Sequence, residues 1–134
     1  MLLDTDVLID VAVDRHPYSE SSTELLDRVE RGVGRAVVAW HTLSNLDYLV
    51  TPARGNADTR DFIAELVRFV SVAPADTPAL RYAVSLPIPD FADAMQVATA
   101  RACGAEHIVT RNVRDFRRSP IPAMTPREAL LQLF

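Results

Sequence analysis

The sequence predicts an α/β fold in which a mostly parallel sheet of about five strands carries helices on both faces. Three observations lead there. Short apolar runs alternate with longer amphipathic stretches, the pattern that builds parallel sheets. The run Ala36 to Trp40 is continuously apolar, as suits a strand buried on both faces. The nine prolines fall between periodic segments, where they punctuate without breaking them. With 134 residues, 49% hydrophobic and 24% charged, the chain is read as one globular domain over residues 1–134.

Met1 to Leu3 is a short apolar strand that ends at Asp4, and Val7 to Val13 continues as a helix that Pro17 closes off. Ser19 to Arg31 places Leu25, Leu26 and Val29 on one helical face and stops at Gly32. After the strand Ala36 to Trp40, with Trp40 read as core, Leu43, Leu46, Leu49 and Val50 have helical spacing. Ala57 to Val70 is predicted as a helix through Phe62, Leu66, Phe69 and Val70, followed by a very short strand at Val72 and Ala73. Thr77 to Leu86 and Asp90 to Cys103 are helical, the second by its stripe Ala94, Val97, Ala98 and Ala102, with Gly104 closing it. His107 to Thr110 is a buried strand, and an edge strand lies near Pro120 and Pro122. Thr125-Pro126 opens a last helix through Leu133 as an N-cap followed by proline at the first helical position.

Composition narrows the chemistry. The single cysteine, Cys103, read as a small buried residue, forms no intramolecular disulfide and supplies no thiolate cluster, so a reducing cytoplasm is expected. The start MLLDTDVLID has no basic segment ahead of its apolar residues, and acids interrupt it, so neither a signal peptide nor a membrane span is expected. A net charge of -4 argues against coating nucleic acid by bulk charge. All 14 basic residues are arginine, which excludes any mechanism requiring a lysine. His16, His41 and His107 share no ligand spacing.

In parallel sheets, ligands sit beyond the carboxyl ends of the strands. Asp4 follows the first strand, Asp90 and Asp93 open the helix before the fourth, and Asn112 and Asp115 follow that strand in TRNVRDF. If the two strands are neighbours, these carboxylates meet in one cleft and repel unless cations neutralise them. Oxygen donors without His or Cys point to Mg2+ or Mn2+. Each acid taken alone is better explained as a helix cap, since Asp90-x-x-Asp93 and Asn112-x-x-Asp115 both match an N-cap with an acid three residues on, and it is their joint placement that favours a shared site. Asp6, Asp10, Asp14, Asp58 and Asp61 read as solvated helix faces, Asp6 being the least secure for its nearness to Asp4. Carboxylates holding dications suit phosphodiester hydrolysis. Arg111, Arg114, Arg117 and Arg118 add a positive patch suited to holding a phosphate backbone, or make an ordinary arginine-rich turn.

LLDTDVLID, PDFADAMQVATARACGAEHIVTRNVRDF and the closing IPAMTPREAL together resemble the PIN-domain family in its VapC-type toxin subgroup, over nearly the whole chain. The resemblance implies a PIN-like three-layer fold and a Mg2+- or Mn2+-dependent endoribonuclease that leaves a 5′-phosphate and a 3′-hydroxyl. It also implies a homodimer and a small antitoxin partner. By position it puts the metal-binding acids on Asp4, Asp93 and Asp115, with Asn112 supporting the last, and Thr5 and Thr110 as hydrogen-bonding hydroxyls beside the acids. Where most VapC-type members carry a glutamate within a TLAEL-like stretch, TLSNL puts Asn45. Asp90, one turn before Asp93, restores the lost charge, so the expected catalytic and metal-binding quartet is Asp4, Asp90, Asp93 and Asp115, with Asn45 beside it. Asp47 should point away.

Two other readings stand beside this one. Asp4-x-Asp6-Val7 resembles the nucleophile motif of haloacid-dehalogenase-type phosphatases, against which the absence of lysine counts. A catalytically weak PIN-fold module that binds RNA or a partner is the other, raised by Asn45.

Overall fold

The computed structural model describes residues 1–134. The strands are β1 (Leu2–Leu3), β2 (Val37–Ala39), β3 (Ser71–Ala73), β4 (Ile108–Val109) and β5 (Ala123–Met124). They form one sheet in the order β3-β2-β1-β4-β5, parallel at every pairing. The helices are α1 (Thr5–Ala12), α2 (Tyr18–Glu30), α3 (Trp40–Arg54), α4 (Asn56–Leu66), α5 (Thr77–Ser85), α6 (Phe91–Cys103) and α7 (Pro126–Gln132), with a 3-10 turn at Val113–Phe116.

Because side chains alternate along a strand, each short strand feeds two cores. Leu3, Val38, Val109 and Met124 face one side, where they pack with Val7 and Leu8 of α1, Leu25 of α2, Leu46 and Val50 of α3, Leu66 of α4 and Ala129 of α7. Leu2 and Ile108 face the other, with Ala83 of α5, Ala94, Val97 and Ala98 of α6, and Phe116. This is the three-layer arrangement expected from the sequence. The helix ends also follow local chemistry. Asp76 accepts a hydrogen bond from Ala79 N, Thr125 and Glu128 form a capping box, and Gly104 closes α6 in the left-handed conformation at φ 74°.

Several expectations fail for identifiable reasons. Trp40 is 74% exposed because β2 ends at Ala39 and the indole begins α3 on its outer side. Leu49 is exposed at the rim of a cleft, whereas Leu46 and Val50 are fully buried. Helix α4 stops at Leu66, and Val70 reaches the core from the turn that follows. Cys103 is exposed, as is Ala102, since the buried stripe of α6 has rotated inward before the helix ends. No helix is long and apolar enough to cross a membrane.

Candidate active site

β1 and β4 are neighbours, with Leu3 opposite Val109, so the chain leaves the sheet at Asp4 and Thr110 side by side. Asp4 N donates to Val109 O at 2.9 Å, and Thr110 Oγ1 donates to Asp4 Oδ2 at 2.8 Å. Asp4 is also the N-cap of α1: its Oδ1 accepts from Thr5 N at 2.9 Å and from Gln96 Nε2 at 3.0 Å. Gln96, buried on α6 three residues after Asp93, donates to Thr42 Oγ1 at 2.8 Å as well. Thr42 in turn receives Thr5 Oγ1 at 3.4 Å. The first carboxylate is thus held by α1, α6 and the end of β4 at once.

Around it opens a cleft of about 230 Å3 at the carboxyl ends of the central strands. Asp4, Asp6, Asp90, Asp93 and Asp115 line it together with Thr5, Asn45, Gln96 and Asn112. The expected quartet therefore shares one cleft with Asn45, while Asp47 stays outside on the exposed side of α3. Asp90 lines the cleft and its Oδ1 also caps α6 by accepting Asp93 N at 3.1 Å. No three acidic, thiol or imidazole side chains converge closely enough to form a ready-made metal cage. The donor chemistry nonetheless suits a hard dication. Two buried oxygens in the cleft wall, Asp6 Oδ1 and Gln96 Oε1, have no hydrogen-bond partner.

Crowding shows in the acidities. Burial pushes the half-buried Asp93 carboxyl up to about 7, and repulsion from Asp4, Asp90, Asp115 and Asp6 adds to it. Burial and then the charge of Asp4 push Asp6 up to about 6, against the opposing effect of Arg111. Asp4 is raised by burial despite its three donors. His41, whose Nε2 lies 3.1 Å from Ala92 O, is lowered by burial.

Asp6 and Asp10 are not solvated. Asp6 Oδ2 accepts from Asn112 Nδ2 at 3.0 Å and Arg111 N at 3.1 Å, with Thr110 Oγ1 3.2 Å away. The Asn112 side chain therefore holds Asp6 rather than Asp115, towards which only its backbone carbonyl turns. Asp10 is 1% exposed and paired with Arg111, Nε to Oδ2 at 2.9 Å. Arg111 is accordingly engaged inside the protein and is not a free phosphate contact. Arg114, Arg117 and Arg118 are exposed and line a larger groove, about 720 Å3, whose wall includes Asp90, Asp93 and Asp115. Sequence reading missed Gln96, Thr42, Asp6 and Asp10. The spacings Asp93-x-x-Gln96 and Asp6-x-x-x-Asp10 put each pair on one helical face and were the available signal.

An all-parallel five-stranded α/β domain with a carboxylate-lined cleft at the switch between β1 and β4 defines the class of protein. The chain belongs to the PIN domain family, which its residues 1–114 match. This sets aside the phosphatase reading of Asp4. The fold is shared with solved structures. A chain of the VapBC2 complex from Rickettsia felis, bound to a DNA fragment from its promoter, superimposes with a TM-score of 0.72 at 17% identity, covering 92% of this chain and 96% of that one. VapC20 from Mycobacterium tuberculosis, a toxin that cleaves the sarcin-ricin loop, gives 0.63 at 16% identity, covering 80% and 85%. No curated protein matches the chain in sequence.

Proposed function

We propose that this chain acts as a metal-dependent endoribonuclease, the toxin of a VapBC-type toxin–antitoxin pair, with residues 1–134 working as one PIN domain. The observation that carries this reading is that five carboxylates line one cleft whose free buried polar atoms are all oxygens. Asp4, Asp90, Asp93 and Asp115 would hold Mg2+ or Mn2+, with Asn45 as a neutral oxygen donor beside them. When bound, such an ion supplies a water of lowered pKa and neutralises charge on the leaving oxygen. The protein's own part is to hold the acids in place. Thr110, Thr5 and Gln96 orient Asp4, and Asp90 fixes the first turn of α6 that bears Asp93. Arg114, Arg117 and Arg118 would take the RNA backbone along the groove that shares three of the acids.

A small antitoxin protein, a homodimer and a cytoplasmic setting belong to the same reading. The test is to incubate the purified protein with mixed cellular RNA, with and without Mg2+ or Mn2+, and to map new 5′ ends. Internal cuts bearing 5′-phosphates should form only with the ion. Cutting that persists in EDTA, or none under any condition, removes the proposal. The reading as a PIN-fold binding module draws on Asn45 and on the lack of a ready-made cage. Calorimetric titration with Mn2+ separates the two: binding weakened by Asp93→Asn supports the enzyme, and no binding at all supports the module.

A further inference from the structure

We infer that Asp10, Arg111 and Tyr18 form a latch that positions the loop Thr110–Asn112 and, through that loop, the carboxylate of Asp6 in the cleft wall. Asp10 lies one helical turn after Asp6 on α1 and is almost completely buried. Arg111 meets it with two nitrogens, Nε to Oδ2 at 2.9 Å and Nη2 to Oδ1 at 3.4 Å. The guanidinium lies over the Tyr18 ring, 4.4 Å from its centroid. A planar fork paired with a carboxylate and stacked on an aromatic ring has little freedom left. Arg15 adds a weaker contact to Asp10 at 3.8 Å.

The consequence lies in the backbone that this side chain anchors. Arg111 N and Asn112 Nδ2 each donate a hydrogen bond to Asp6 Oδ2, and Thr110 Oγ1, whose one proton goes to Asp4 Oδ2, lies 3.2 Å from it. Two consecutive residues thus grip one oxygen and leave the other, Oδ1, buried without a partner in the cleft wall. Apart from those bonds and the one from Thr110 to Asp4, the Arg111–Asp10 pair is what ties residues 110–112 to α1. Arg111 is therefore a positioning residue rather than an RNA contact. Its effect on cleavage rests on the nuclease reading, whereas the latch itself does not.

The test uses the full chain with Asp10→Asn, which keeps the shape and removes the charge. Amide hydrogen exchange should quicken about tenfold at Arg111 and Asn112, while Ile108, bonded to Pro122 O in the sheet, stays unchanged. RNA cleavage should lose roughly tenfold or more in kcat, with KM and salt dependence within about twofold of wild type. Exchange that quickens equally at Ile108, or nowhere, overturns the latch. So does an unchanged kcat with raised KM and a shallower salt slope, which would make Arg111 an RNA ligand. Should the wild type cut no RNA, the exchange result alone decides the latch and the nuclease reading falls separately. Should Asp10→Asn not fold, Tyr18→Leu on the exposed side of the stack replaces it. A smaller change in the same direction at Arg111 is then expected, and no change refutes the idea.

Discussion

Asp93→Asn should make the metal-free protein more stable, and the gain should grow with pH. The carboxyl of Asp93 is raised from 3.8 to about 7 by burial and by four neighbouring acids. Folded Asp93 therefore binds its proton more tightly than unfolded Asp93. Its penalty is absent below pH 3.8, builds as pH rises, and is complete above about 7. Three units correspond to about 4 kcal/mol. The side chain is only half-buried, so solvent screening leaves roughly half, ~2 kcal/mol at pH 7.5 and less than ~1 kcal/mol at pH 5. For a domain of this size that means a midpoint higher by about 6–8 °C at pH 7.5 and about 2–3 °C at pH 5. The assay is thermal unfolding followed by circular dichroism in EDTA, comparing variant and wild type at both pH values. His41, lowered by burial, weakens the fold as pH falls below its ordinary range. That effect is common to both proteins and cancels in the difference. A gain of equal size at the two pH values, or a loss at pH 7.5, would refute the picture of crowded, mutually repelling acids.

Asp4→Asn should lower RNA cleavage by about a hundredfold or more while leaving the fold intact or more stable, judged by cleavage rate and thermal midpoint together. Equal activity in that variant would remove Asp4 from the site. Replacing Arg114, Arg117 and Arg118 by alanine should raise KM with kcat little changed and flatten the salt dependence by up to about two in slope, at ~0.7 per phosphate contact on a single strand. An unchanged slope would mean that the groove holds no backbone. Gly104→Ala should destabilise the fold by about 1–2 kcal/mol in urea unfolding. At φ 74° an added Cβ meets no atom within 4 Å, so only the backbone conformation is penalised. A loss much larger than that would point to a clash instead.

Alternation of short apolar runs with amphipathic stretches places every strand and α-helix within a few residues, though not the 3-10 turn at Val113–Phe116. Those features are written locally, in side-chain period and in caps such as Thr125-Pro126 and Gly104. Trp40 and Cys103 were misplaced because hydrophobic type does not say on which side of a short element a residue falls when the element ends beside it. The neighbourhood of Asp4 and Thr110 depended on one long-range fact, the pairing of β1 with β4, which the strand pattern suggested but could not register.

The polar interior was the part that the linear chain concealed. By itself the sequence determined the layered α/β architecture, the family, and a set of acids at element ends, since these follow from local periodicity and from motifs in fixed order. Only the tertiary structure decided that Asp6 and Asp10 are partners of the β4 loop, that Gln96 reaches across to Asp4, and that Arg111 turns inward onto Asp10 while Arg114, Arg117 and Arg118 stay exposed. The physical reason is that a hydrogen bond or ion pair between residues some 90 to 105 positions apart leaves no periodic trace in the sequence. It exists once packing has brought α1, α6 and β4 together and closed those groups off from water.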